Sequence, residues 1–156
     1  MTKRPTIPDQ IETERLLIRC PKLEDTPLVY EAVLESRKEL QPWMPWATDD
    51  YSLESCETSQ RQAIAKFVTQ EDFRLIFFDK QTGRLIGNTG LHRIDWSVPR
   101  FEIGYWCRSS ETGKGYVTEV VRGLSKLAFE QLGAARVEIR CDDLNIKSAA
   151  VAQRCG

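Results

Sequence analysis

The sequence predicts an α/β (α+β) sandwich, a mixed and largely antiparallel sheet flanked by helices, in one domain spanning residues 1–156. Three observations predict it. Strand-like runs cluster between Asp72 and Cys107, broken by a turn at "KQTG". Amphipathic helical segments lie both before and after that cluster. One of them follows directly on Gly113-Lys114-Gly115, the arrangement of an anion-binding turn at a helix start. The element order is β-α-α-β-β-β-α-β-α.

The first strand is "TERLLIRC" (Thr13–Cys20), with Leu16 and Ile18 on one face. A helix follows in "KLEDTPLVYEAVLESRKEL", capped by Asp25 or Thr26, with Pro27 suited to its first turn. "QPWMPW" (Gln41–Trp46) is a loop pinned by two prolines. The next helix opens at Ser52. Serine rather than glutamate stands three residues later, so the capping box is incomplete, but Ile64, Phe67 and Val68 fit one helical face. "DFRLIFFD" and "RLIGNTGLHRID" form a hairpin in which Gly83 supplies a positive-φ position. "RFEIGYWC" (Arg100–Cys107) is the fourth strand, and Gly104 is read as the mark of a bulge. The helix Tyr116–Leu132 ends at Gly133, a suitable C′ residue. "ARVEIRCD" (Ala135–Asp142) is the fifth strand, and a last helix begins near Asn145. The sequence stops at Gly156 where such a sheet usually continues, so C-terminal strands are expected to be lacking, and a homodimer would cover the exposed edge.

Composition narrows the function. Hydrophobic residues are 41% and charged residues 29%, ordinary for a soluble globular domain, and the net charge of -1 gives no field for direct nucleic-acid binding. "MTKRPTIPDQ" precedes no apolar stretch, so it is not a secretory signal, and apolar runs such as "LIFF" are too short to span a bilayer. Cys20, Cys56, Cys107, Cys141 and Cys155 are scattered without a CxxC pair, and His92 has no second histidine. Neither a metal site nor a disulfide framework is expected, and free thiols point to the cytoplasm.

Gly113-Lys114-Gly115 is not a P-loop, because Tyr116 stands where Ser or Thr is needed. Nor is it a dinucleotide fingerprint, because Thr118 takes the place of the third glycine. Strand before and helix after nevertheless suit a pyrophosphate, with Arg108 and Lys114 near enough in sequence to supplement backbone donors.

With "ETERLLIR", "EIGYW", "GKGYVTEV" and Asn145-x-x-Ser148 in this order, the chain resembles the GNAT acetyltransferases, specifically the branch that acetylates ribosomal-protein N-termini. "LQPWMPW" is similar to that branch's acceptor-side loop. The resemblance covers almost the whole chain and implies acetyl-CoA as co-substrate, with the fourth and fifth strands splayed apart. It implies that the pantetheine arm pairs along Tyr105, Trp106, Cys107 and Arg108. Backbone N–H groups of Gly113, Lys114, Gly115 and Tyr116 would hold the pyrophosphate. Ser110 departs from the family's Gln or Arg, and Arg108 or Lys114 would take over that side chain's part. The implied acceptor is a protein N-terminus, or else a small amine or antibiotic, with a non-catalytic acyl-CoA-binding module as the third reading.

The resemblance also implies the catalytic parts. Glu102 is the candidate base, with a salt-bridged strand glutamate as the alternative. An α-amine, whose pKa is about 7.7–8.0, needs only a modest base, whereas lysine near 10.4 needs a strong one. A backbone N–H near Tyr105 would stabilise the oxyanion. The tyrosine that often protonates the leaving thiolate is replaced by Ala152, which shifts that part to Ser148, with Asn145 orienting the pantetheine or acetyl carbonyl. Residues three apart share a helical face, so both can meet one ligand. Trp43, Met44 and Trp46 are assigned to the acceptor side, and His92 is read as structural.

Overall fold

The computed structural model describes residue 8 and residues 10–40, 51–111 and 114–139, except for the side chains of 37–40 and 109. The six strands are β1 (Gln10–Glu12), β2 (Leu16–Arg19), β3 (Phe73–Asp79), β4 (Leu85–Asp95), β5 (Arg100–Cys107) and β6 (Arg136–Ile139). The helices are α1 (Thr26–Leu40), α2 (Leu53–Thr69) and α3 (Tyr116–Gln131). The sheet order is β1-β2-β3-β4-β5-β6, antiparallel throughout except for the parallel β5–β6 pair. This is the mixed, largely antiparallel sheet that the sequence predicts. β1 is an addition, since three residues are too few to display an alternation. None of the described helices is long and apolar enough to cross a membrane.

Alternation along the strands sends side chains to two faces, and each face has its own core. On one, Leu16, Ile18, Phe73, Leu75, Phe77, Leu91, Phe101 and Ile103 pack against Val120, Val121, Leu124 and Ala128 of α3. On the other, Ile76, Phe78, Leu85 and Trp106 pack against Val29, Ala32 and Val33 of α1 and Cys56 of α2. Consecutive phenylalanines, Phe77 and Phe78, serve opposite cores because neighbouring strand residues point to opposite faces.

Helix starts differ instructively from their sequence signals. Asp25 does not cap α1: its carboxylate accepts from the Lys22 amide at 2.8 Å and from Arg19 Nη1 and Nη2 at 2.7 and 2.8 Å. The chain enters α1 through a 3₁₀ turn at Leu23–Asp25, and the Thr26 hydroxyl donates to the Leu23 carbonyl at 2.7 Å. At α2, Ser52 Oγ accepts from the Ser55 amide at 3.1 Å, and the Ser55 hydroxyl lies 3.0 Å from Ser52 Oγ. Serine therefore forms a hydroxyl version of the incomplete capping box.

Gly104 does not mark a bulge. The β4–β5 ladder runs through the Gly90–Gly104 pair in register, and the irregularity falls between His92 and Asp95, where Arg93 has a φ of 45°. Glycine at 104 has a different cause. A Cβ there would meet His92 Cδ2 at 3.1 Å, so the imidazole lies across this part of the strand.

Candidate active site

The ladder between β5 and β6 joins Arg100–Ile103 to Arg136–Ile139, and the last four residues of β5 have no β6 partner among the described residues. The amide of Arg108 donates to the Ile86 carbonyl at 2.8 Å, which fixes the phase of the β4–β5 ladder. Backbone groups of Gly104, Trp106 and Arg108 therefore turn toward β4, and those of Tyr105 and Cys107 turn toward the opposite edge. The four residues proposed to pair with pantetheine thus divide into two that face that edge and two that do not.

The side chains of the latter two are also committed elsewhere. Trp106 is buried in the core beneath α1. The guanidinium of Arg108 is buried and turned to α1, with Nε 3.1 Å from Glu35 Oε2, Nη2 3.2 Å from Glu31 Oε1 and Nη1 donating to the Leu85 carbonyl at 3.1 Å. Burial alone would disfavour its charge, but the two glutamates outweigh that and hold it protonated. Arg108 is therefore a tie between α1 and β5. Ser110 itself donates its hydroxyl to Glu35 Oε2 at 2.9 Å. Burial pushes the Cys107 thiol up to about 12, so it stays protonated.

Beyond β5 the chain makes a 3₁₀ turn at Ser109–Glu111 and enters α3 with Gly115 as N-cap. Gly115 has a φ of 81° and no capping side chain, so the first-turn amides of α3 lack the cap that a serine or aspartate would give them. Cations surround this turn. Lys114 Nζ lies 2.8 Å from Glu111, Arg84 Nε lies 2.9 Å from the same carboxylate, and Arg15 Nη1 donates to the Lys114 carbonyl at 2.9 Å. Arg15 also pairs with Glu119 at 2.7 Å and stacks 4.4 Å over the Tyr116 ring, whose hydroxyl donates to Asp79 at 2.9 Å. A groove continues along α3, lined by Arg15, Arg122 and Lys126 and by Glu14 and Glu119. Uncapped amides, an αL glycine and neighbouring cations form a donor set that fits a pyrophosphate.

On the sheet face that carries Trp106, β4 and β5 present Asn88, Gly90 and His92 opposite Trp106, Gly104 and Glu102. Glu102 is mostly shielded, stands 3.9 Å from Arg93 Nε and is the register partner of both His92 on β4 and Glu138 on β6. Asn88 Oδ1 is buried with no hydrogen-bond partner among the described residues. His92 Nδ1 lies 2.6 Å from Asp72 Oδ1. Trp43, Met44, Trp46, Gly113, Asn145 and Ser148 lie outside the described residues. The sequence reading missed Arg15, Arg84 and Glu35, whose partners are 26 to 104 residues away and leave no local spacing to find.

Residues 15–156 match the model of the acetyltransferase (GNAT) domain family. The chain is 30% identical over 151 residues, 92% of its length and 78% of the relative's, to YdaF of Bacillus subtilis (strain 168), provisionally named as a ribosomal N-acetyltransferase. A solved structure from Vibrio cholerae, described provisionally as a ribosomal-protein-serine acetyltransferase, superposes with a TM-score of 0.80 at 27% identity, covering 99% of this chain and 84% of that one. The microcin C7 self-immunity acetyltransferase MccE, solved with acetyl-CoA and AMP, shares the fold with a TM-score of 0.87 at 22% identity, over 97% of this chain and 84% of that one. The chain belongs to the GNAT acetyltransferase family.

Proposed function

We propose that the protein transfers an acetyl group from acetyl-CoA to the N-terminal α-amine of a protein, with a ribosomal protein as the acceptor class, in the cytoplasm. The observation that carries this reading is a convergence. One strand, β5, carries all three parts: Glu102 near its start in register with His92, the edge at Tyr105 and Cys107 further along, and the uncapped start of α3 just past its end. The names of YdaF and the Vibrio cholerae protein favour ribosomal proteins as acceptors.

Acetyl-CoA would supply the activated acyl carbon and a thiolate leaving group. Tyr105 and Cys107 would hold its pantetheine arm through backbone groups, while Gly113, Lys114, Gly115 and Tyr116 would hold its pyrophosphate. Lys114 exchanges Glu111 for a phosphate oxygen in this scheme. Glu102 receives the acceptor, which arrives mainly as an ammonium, and draws off its first proton; Glu138 beside it adds negative charge that favours a cation. Asn88 Oδ1 offers an acceptor for an amine or amide N–H deeper along the same face. Asn145 and Ser148 would meet the acetyl carbonyl and the departing sulfur, and Trp43, Met44 and Trp46 would wall the acceptor side.

The test supplies acetyl-CoA together with either a peptide beginning with alanine or serine, or a panel of small amines, and follows thiol release and the mass of the product. Acetylation confined to the peptide α-amine is the expected result. Turnover only on small amines would overturn the acceptor assignment, and acetyl-CoA binding without transfer to any of them would overturn the enzymatic one.

A further inference from the structure

The acceptor face holds a second proton-accepting group. Asp72, just before β3, lies 2.6 Å from Nδ1 of His92 on β4. A carboxylate can only accept, so Nδ1 carries the ring proton and Nε2 keeps its lone pair. No described residue is hydrogen-bonded to Nε2, and the side chain is about a third exposed.

The sheet beneath is cut to receive this ring. A Cβ at Gly90 would meet His92 Cε1 at 2.7 Å and Nε2 at 2.9 Å, and one at Gly104 would meet Cδ2 at 3.1 Å and Nε2 at 3.6 Å. Gly90 and Gly104 are register partners across β4 and β5, so paired glycines make the floor on which the imidazole lies. A surface histidine that merely clips Asp72 needs no such floor. Charged groups on the surrounding elements are Arg74 on β3, the register partner of Gly90; Arg93 on β4; Glu102 on β5; and Glu138 on β6. His92 thus sits beside the carboxylate already assigned to the acceptor, with its open nitrogen over the strands that carry it.

We propose that His92, oriented by Asp72, takes the second proton of the acceptor amine. The inference rests on the acetyltransferase reading above. An ammonium must lose one proton to become a nucleophile and another once it is acylated. Glu102 takes the first. As the N–C bond forms and the C–S bond breaks, the nitrogen becomes positively charged, and its second proton moves to Nε2. The electron pair of the C–S bond leaves on sulfur as thiolate, and the imidazolium then returns its proton to that thiolate or to water. Two protons leave the nitrogen, and two acceptors lie side by side to take them.

The experiment compares wild type, Glu102→Gln, His92→Gln and Asp72→Asn in single-turnover acetylation of an alanine-initiated peptide from pH 6 to about 10, beside acetyl-CoA affinity and thermal melts. Glu102→Gln should lose about 10²-fold near neutral pH and recover as the solution itself supplies neutral amine. His92→Gln should lose a comparable factor that persists at high pH, because the second proton leaves only after attack. Asp72→Asn, which removes the charge that orients the ring, should fall between wild type and His92→Gln. Acetyl-CoA affinity should stay within about two-fold in all three. A His92→Gln protein that melts lower yet transfers at the wild-type rate makes the pair a structural clip and overturns the proposal while the Glu102 reading stands. Recovery of His92→Gln at high pH would overturn it equally. A wild-type protein that acetylates no peptide fails the functional reading itself, and the proposal with it.

Discussion

At Gly115 the backbone requirement and the ligand requirement coincide. Its φ of 81° lies in the left-handed region, where an L side chain is strained by about 1–2 kcal/mol. A Cβ would meet only Arg15 Nη2, at 3.4 Å, so crowding adds little and the torsion dominates. Gly115→Ala should therefore cost about 1 kcal/mol of stability by urea titration. Gly115→Val should in addition weaken acetyl-CoA binding at least ten-fold by calorimetric titration, because its branched side chain stands at the uncapped amides of α3. A folded Gly115→Val protein with unchanged affinity would remove the pyrophosphate from this turn. The glycine-lysine-glycine string made this site legible in the sequence, because local backbone chemistry writes local motifs. The glycine floor under His92 was not legible. Gly90, Gly104 and His92 are joined by strand register, and a lone histidine gives no sign that its neighbours were shaped for it.

The elements themselves were legible where periodicity is long, as in α3 and the β3–β4 hairpin, and their joints were not. Arg108 was read as a phosphate ligand because it precedes the cradle in sequence. In three dimensions the strand's alternation points it to the α1 side, where Glu35 and Glu31 receive it. The same geometry makes a prediction about how α1 is fastened to the end of β5. Glu35 accepts from Arg108 and from the amide and hydroxyl of Ser110 at 3.1, 3.3 and 2.9 Å. Glu35→Ala leaves a buried guanidinium with only the mostly exposed Glu31 and one carbonyl, and should cost about 2 kcal/mol. Adding Arg108→Met to that variant should restore part of the loss, since an apolar side chain of similar length needs no counter-charge there. Urea midpoints of the single and double variants check it; a double variant weaker than Glu35→Ala would mean that the arginine's packing, not its charge, holds the joint.

Among the described residues, carboxylate–guanidinium pairs fasten helices to the sheet at three places. Asp25 joins the entrance of α1 to Arg19 of β2, Glu35 joins the body of α1 to the end of β5, and Glu119 joins α3 to Thr13 and Arg15 beside β2. For each, burial alone would raise the carboxyl, but the facing guanidinium and hydrogen-bond donors outweigh it and hold it below its ordinary value. A group depressed in the folded state contributes stability that is complete above its unfolded pKa, near 3.9 for Asp and 4.3 for Glu, and lost as pH falls through the folded value. Stability should therefore be flat from pH 7 to about 5 and drop steeply below about 4. The acid form should lose the docking of α1 and α3 while α2, tied by Arg74 Nη1 to Ser59 Oγ at 2.7 Å and by the Trp96 indole to the Gln70 carbonyl, has no such acid-labile link among these bonds. Asp25→Asn combined with Glu119→Gln should be less stable than wild type at pH 7 and should lose distinctly less between pH 5 and 3, because two of the titrating links are already gone. Urea midpoints measured across that range decide it. Parallel pH curves for the two proteins would place the acid sensitivity elsewhere, whereas convergence toward low pH would locate it in the helix-to-sheet carboxylates.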